Sequence, residues 1–380
     1  MEALISEQKG LDEFYKAAMA KGFSFVTWRS PQKKMPTTLL QWKTQPEIIK
    51  NIQDVEEKKG FIFAPFDNHE RHPIRFIKPE KIIHGTKDLD FVKDIDLSNY
   101  PEVRKIDKIT NHRDISDPEH FSKNVRTIKK IIRESSLDKL VLSQLSRTRV
   151  GENFSPTGFF NALNESYPHA FVYMLYIHES GLWFGATPEP LLIIEDGTAS
   201  TVSLAGTRPY KKGETQKPWE DKEMDEQEIV TSYIEKVLQN NEIDDYIKKG
   251  PFTYKAANIE HLKSTFSFPS SKLDGKLSKF INDLHPTPSV CGLPKDIAME
   301  WISKLEKHER EYYTGYLGPV NLEKEWKLFV NLRCMKLVDG FHNYYVGAGI
   351  TAGSSPRKEW EETLSKKKTL ESIIESLNTP

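Results

Sequence analysis

Runs of β-branched and aromatic residues come in consecutive groups, and this ordering limits the possible folds of the 380-residue chain more than any other feature. FSFVTW (23–28), GFIFAPF (60–66), IRFI (74–77), KLVLSQLSRTRV (139–150), AFVYMLYI (170–177), LWFGA (182–186) and LLIIE (191–195) all read as strands. So do STVSLAG (200–206), EWKLFVNLRCMKLV (325–338) and HNYYVGAG (342–349). Such residues fit a pleated, half-buried surface. Helical patterns lie at 118–135, 155–166, 219–240, 270–283, 294–307 and 356–377. Strands that do not alternate strictly with helices argue for an α+β fold with antiparallel sheets. The polar, weakly patterned segment 84–117 sets the expected boundary, with 1–117 as an N-terminal part and 118–380 as the remainder.

Charge narrows the partners. Lys and Arg number 54 against 55 Asp and Glu, a formal charge of −1, so there is no general attraction to nucleic acid or to an anionic membrane. The two cysteines, Cys291 and Cys334, stand far apart and in no metal-type spacing, which fits a reducing compartment. No apolar run approaches membrane-spanning length, and MEALISEQKGLDEF lacks the basic and apolar regions of a signal peptide. The expectation is a soluble, cytoplasmic protein.

Several local clusters carry chemistry. Ser355-Pro356 is a helix start signal, and at 100° per residue Glu359 falls in line with Lys366, Leu370 and Leu377, with Glu362 beside it and Glu361 turned away. Helix geometry leaves two readings open: a Glu362–Lys366 pair on a solvated face, or carboxylates that hold a ligand. A second acidic helix, WEDKEMDEQEIVTSYIEKVL, has enough carboxylates for a divalent cation, which needs only one or two, but nothing local says which would serve. In FGATPEPLL, Glu189 follows a proline among apolar residues, where a glutamate is either a turn residue or a general acid. Lys139 opens an apolar strand, as an edge guard or, if desolvated, a proton acceptor. SLAGTRPYKKG offers the backbone of Gly206 and Thr207, and LHPTPSVCGLPK gathers His285, two prolines and Gly292 in one constrained loop. No P-loop, dinucleotide fingerprint, HExxH or nucleophile elbow occurs.

In this order the clusters resemble the chorismate-utilising enzymes, the isochorismate, salicylate, anthranilate and aminodeoxychorismate synthases. KLVLSQLSR, FGATPEPLL, SLAGTRP, WEDKEMDEQEIV, LHPTPSVCGLPK, REYYTGYLGPV, FVNLRCMKL and YVGAGITAGSSPRKEWEETLSK carry the likeness across roughly 119–377. The resemblance implies a single large α+β domain of two packed antiparallel β-sheets with outer helices and a central cleft, in which 1–117 is the variable part and 118–380 the chorismate-binding core. It implies Mg²⁺ held by Glu226 and Glu362, with Glu359 in the water shell. Arg333, Gly347 and Tyr313 would serve the pyruvyl carboxylate, and Gly206 and Thr207 the ring carboxylate. Lys366 would support both, and His285 would face substrate from its loop. Partners reduce to chorismate itself, with no glutaminase subunit and a monomer expected.

Within that family, lysine at position 139 is similar to the members that activate water, whereas anthranilate synthases commonly carry glutamine there. The resemblance therefore implies an isomerase, isochorismate synthase, in menaquinone or siderophore biosynthesis. Lys139 would take a proton from water attacking C2, and Glu189 would protonate the departing C4 hydroxyl. The alternatives are a salicylate synthase, which adds pyruvate elimination, and an ammonia-using synthase. Three positions depart from the family pattern. Gln227 stands where histidine is usual, Tyr210-Lys211-Lys212-Gly213 replaces the usual arginine-glycine ending, and Ser289 replaces alanine, which would make one wall more polar.

Overall fold

A computed structural model describes residues 2–85, 102, 117–210, 218–256 and 259–378. Two nine-stranded antiparallel sheets form its centre. In spatial order the first sheet comprises β14 (Gly292–Leu293), β7 (Lys139–Arg149), β18 (Phe341–Ile350), β17 (Cys334–Val338), β9 (Gly181–Thr187), β8 (Phe171–Ile177), β1 (Ser24–Arg29), β2 (Thr37–Gln41) and β6 (Lys81–His84). The second comprises β12 (Ile247–Ala256), β13 (Ile259–Pro269), β11 (Thr198–Pro209), β10 (Pro190–Glu195), β16 (Glu325–Val330), β15 (Tyr316–Leu322), β4 (Gly60–Ala64), β5 (Ile74–Ile77) and β3 (Glu47–Ile49). Alternation along the strands turns one face of each sheet toward the other. Trp28, Phe61, Phe63, Phe171, Trp183 and Phe329 fill the space between them. The Phe171 and Phe329 rings stack at 4.3 Å. Each such side chain contributes roughly 1.5–3 kcal/mol of burial.

Helices cover the outer faces. α1 (Glu2–Ala20), α3 (Pro156–Ser166) and part of α7 (Pro356–Asn378) pack on the first sheet. α2 (Pro118–Glu134) and α6 (Lys295–Leu305) cover the β7–β18 end of that sheet, beside the first turns of α7. α4 (Asp221–Asn240) and α5 (Leu277–Leu284) cover the second sheet. α2 begins where Asp117 accepts a hydrogen bond from the His120 N–H at 2.7 Å, satisfying one of the free donors at the helix end.

The element pattern departs from expectation in several places. The helix expected over 270–283 is a short 3₁₀ turn at Ser270–Leu273 followed by α5, because Gly275 takes φ +68° between them. α1, β2, β3, β6, β12, β13, β14 and β15 were not expected, and β13 proves central to the site. The run 325–338 is two strands, β16 and β17, which lie in different sheets. The segment 84–117 lies outside the described residues except for His84, Gly85, Glu102 and Asp117, and Lys211, Lys212 and Gly213 lie outside them entirely.

Two of the places where the chain crosses between the sheets lie next to each other. The chain leaves β9 at Thr187 and enters β10 at Pro190, and it leaves β16 at Val330 and enters β17 at Cys334. Backbone hydrogen bonds tie the crossings together: Val330 N–H to Glu189 C=O at 2.9 Å and Ala186 N–H to Arg333 C=O at 3.1 Å. The Thr187 hydroxyl adds a bond to the Val330 carbonyl at 2.6 Å. Asn331 locks the second crossing, accepting from Tyr173 at 2.7 Å and donating to the Tyr312 carbonyl at 2.8 Å. Glu189 and Arg333 are thereby placed side by side where the sheets join.

Candidate active site

Glu189, on the first crossing, is 3% exposed. Burial pushes its carboxyl up to about 7, against the pull of Lys139, Arg333 and Lys366. A carboxyl with that value keeps a proton near neutral pH, as a general acid requires. Arg333, on the second crossing, has φ +47° and is buried. Its Nη2 lies 3.2 Å from Nε2 of His261 on β13, and Nδ1 of His261 lies 3.1 Å from the Gly206 carbonyl. Burial and the neighbouring Arg333 hold His261 well below its ordinary range, so the ring is neutral. A neutral ring that faces a guanidinium with one nitrogen and a carbonyl with the other carries its proton on Nδ1.

Three buried or half-buried carboxylates each face a different lysine. Lys139 Nζ lies 2.9 Å from Glu226 Oε1, Lys222 Nζ lies 2.8 Å from Glu359 Oε1, and Lys366 Nζ lies 2.7 Å from Glu362 Oε1. Burial pushes Glu226 up, yet Lys139 and Lys222 outweigh it and hold the carboxylate below its usual range. Burial and the adjacent Glu362 raise Glu359 to about 7, against Lys222. Burial pulls Lys222 down, but Glu359, Glu226 and Glu362 outweigh it and hold the ammonium above its ordinary value. Glycine is needed at 349: a Cβ there would collide with Oε1 of Glu226 and come within 2.9 Å of Cε of Lys139.

No three His, Cys, Asp or Glu side chains among the described residues form a ready-made metal cage. The donor set still suits a hard divalent cation. Glu226, Glu359 and Glu362 supply only carboxylate oxygens, and Oε2 of Glu359 is buried without a hydrogen-bond partner. Lys139 Nζ is likewise buried without a hydrogen bond, since its contact with Glu226 is close but poorly aligned.

Several of these groups line one cleft. Of the residues expected at a site, Glu189, Thr207, Glu226, Tyr313, Arg333, Gly347 and Lys366 line it. Lys139 reaches it through its contact with Glu226. Gly206 stands behind Thr207 with φ +62°, its carbonyl on His261. Lys366 Nζ also donates to the Gly347 carbonyl at 2.8 Å. Glu359 and Glu362 are not among the lining residues: Glu362 meets the lining Lys366, Glu359 meets Lys222, and Glu361 is exposed and pairs with Arg357. His285 is not brought to the cleft wall: its Nε2 lies 3.2 Å from the Phe66 carbonyl and its ring packs on Tyr316. Ser289 lines the cleft but donates its hydroxyl to the Leu204 carbonyl at 3.0 Å, so its one proton is already committed. Sequence reasoning missed His261, Lys222 and Gly349. Only His261 had a local signal, the alternation of IEHLKSTFSF, buried at every second position from Leu262 onward.

Comparison with known proteins follows from this geometry. A family model described as chorismate binding enzyme matches residues 77–375. The vibriobactin-specific isochorismate synthase of Vibrio cholerae is 25% identical over 321 residues, 82% of this chain and 78% of that protein. Anthranilate synthase component 1 of Acetivibrio thermocellus is 32% identical over 270 residues, 68% of this chain but only 53% of that protein. Among solved structures, the menaquinone-specific isochorismate synthase MenF of Escherichia coli superposes with a TM-score of 0.72 at 19% identity, covering 92% of this chain and 88% of that one.

Proposed function

This chain belongs to the chorismate-binding enzyme family, and we propose that within it the protein is an isochorismate synthase. One observation carries the choice of water over ammonia as nucleophile: a lysine, Lys139, is buried against Glu226 at the cleft, in the electrostatic reach of the protonated Glu189. With substrate bound, Lys139 acts as the base that takes the proton of a water attacking C2 of chorismate. Glu189 gives its proton to the C4 hydroxyl as that group leaves, and the enolpyruvyl ether is retained. Arg333, held by neutral His261, binds the pyruvyl carboxylate beside Tyr313 and the backbone at Gly347. Gly206 and Thr207 receive the ring carboxylate. Glu226 and Glu362 would hold Mg²⁺, with Glu359 in its water shell, and the ion would supply charge stabilisation at the ring carboxylate. The committed hydroxyl of Ser289 favours retention of pyruvate over its elimination.

Incubation of the purified protein with chorismate and Mg²⁺, followed by chromatography, tests the assignment. Isochorismate should accumulate without added ammonia, and salicylate as the main product or turnover that needs ammonia would overturn it. Replacing Lys139 with alanine should lower kcat by about 10²–10⁴, the usual range for loss of a positioned base.

A further inference from the structure

β11 loses one of its two strand partners just where the site needs it. Its pairing with β10 covers only Thr198–Ser200, so among the described residues that edge of β11 has no paired strand beyond Ser200. On the other edge, the register with β13 passes from Ala205 opposite Leu262 to Thr207 opposite His261, leaving Gly206 as the extra residue of a bulge. Buried backbone groups without partners are costly.

Gln227 fills the gap. It is 2% exposed and lies on the face of α4 that packs on β11. Its Oε1 accepts from the Ala205 N–H at 2.9 Å, while Nε2 faces the Ser203 carbonyl at 3.3 Å and the Ser203 hydroxyl at 2.9 Å. Nε2 is also 3.3 Å from the Ser264 hydroxyl on β13. A carboxamide has the donor and acceptor of a peptide group, so this side chain acts as one residue of the missing strand. On the far side of the bulge, His261 takes the Gly206 carbonyl and receives Nη2 of Arg333. One chain of contacts therefore runs from α4, which carries Glu226, through the bulge at Gly206 to Arg333.

We propose that Gln227 is a positioning residue: it sets the Ala205–Thr207 bulge as a carboxylate cradle and holds that cradle in register with Glu226 and Arg333. The inference rests on the isochorismate synthase reading for the identity of the carboxylate, but not for the link itself. Two readouts keep them apart. Amide hydrogen exchange at Ala205, Gly206 and Thr207, read without ligand, should speed up at least about tenfold in Gln227→Met, which keeps the shape but loses both bonds. Steady-state kinetics with chorismate should show KM raised about tenfold or more with kcat within about threefold, the size typical of groups that orient a binding residue. Gln227→His, which offers one ring donor and one ring acceptor, should return KM to within about threefold of wild type. Unchanged exchange in Gln227→Met overturns the link. A lowered melting temperature with KM unmoved reduces Gln227 to a packing residue and overturns the positioning role. If Gln227→Met does not fold, Gln227→Asn, whose amide stops short of Ala205, carries the same readouts. A wild type that shows slow exchange but no chorismate turnover counts against the isochorismate synthase reading alone.

Discussion

Glu189 joins the residue scale to pH. Its value is raised from 4.5 to about 7 by burial, so the group favours the folded state while protonated and disfavours it once ionised. The stabilising protonated form is complete below pH 4.5 and is lost as pH rises through 7, a difference on the order of 3 kcal/mol. In the metal-free protein the melting temperature should therefore fall less between pH 5 and pH 8 in Glu189→Gln than in wild type; parallel curves would contradict the assignment. If it is the proton donor, as proposed, Glu189 should also give kcat/KM an alkaline limb near pH 7, which Glu189→Gln would remove along with most activity. Both Glu189 and Lys139 were readable in the sequence only through the order of weak motifs, since neither TPE nor a strand-opening lysine identifies itself. His261 was not read because its strand was not read. Alternating Leu262, Ser264, Phe266 and Phe268 could have revealed β13, but the polar Ser264 within the buried series masked the pattern.

Between elements, close approach matters more than composition. β18 runs beside β7 with Gly349 opposite Val141, and the space a side chain would take at 349 is filled by the Lys139–Glu226 pair from β7 and α4. Gly349→Ala should displace that pair and lower kcat by about 100-fold, since shifts near 1 Å in a reacting group have that effect. The fold should persist, with a loss of roughly 1–3 kcal/mol for overpacking. Activity within twofold of wild type would show that the pair tolerates displacement. The inward line of Glu359 on α7 was legible from helix periodicity, and that carboxylate is 1% exposed. Lys222 was not legible, because its partner lies on a different helix and 137 residues away. Periodicity reports which face of a helix is buried, not what meets it there.

At the scale of the molecule, the first 84 residues supply three strands to each sheet: β1, β2 and β6 to one, β3, β4 and β5 to the other. A fragment of residues 118–380 would expose Phe171 and Trp183 where the rings of Phe61 and Phe63 now pack on them. It should show no cooperative melt by circular dichroism; a sharp two-state transition would show that the later residues fold alone. The grouped strands forecast the antiparallel pairing, but not that 325–338 changes sheets midway, because nothing in its hydropathy marks Asn331 as a corner. That corner has a mechanical consequence. Glu189 and Arg333 are separated by 144 positions in sequence, yet two backbone hydrogen bonds and one threonine clasp their crossings together. Any opening of the cleft should therefore leave the spacing of Glu189 and Arg333 less changed than the distance from either to the lysines.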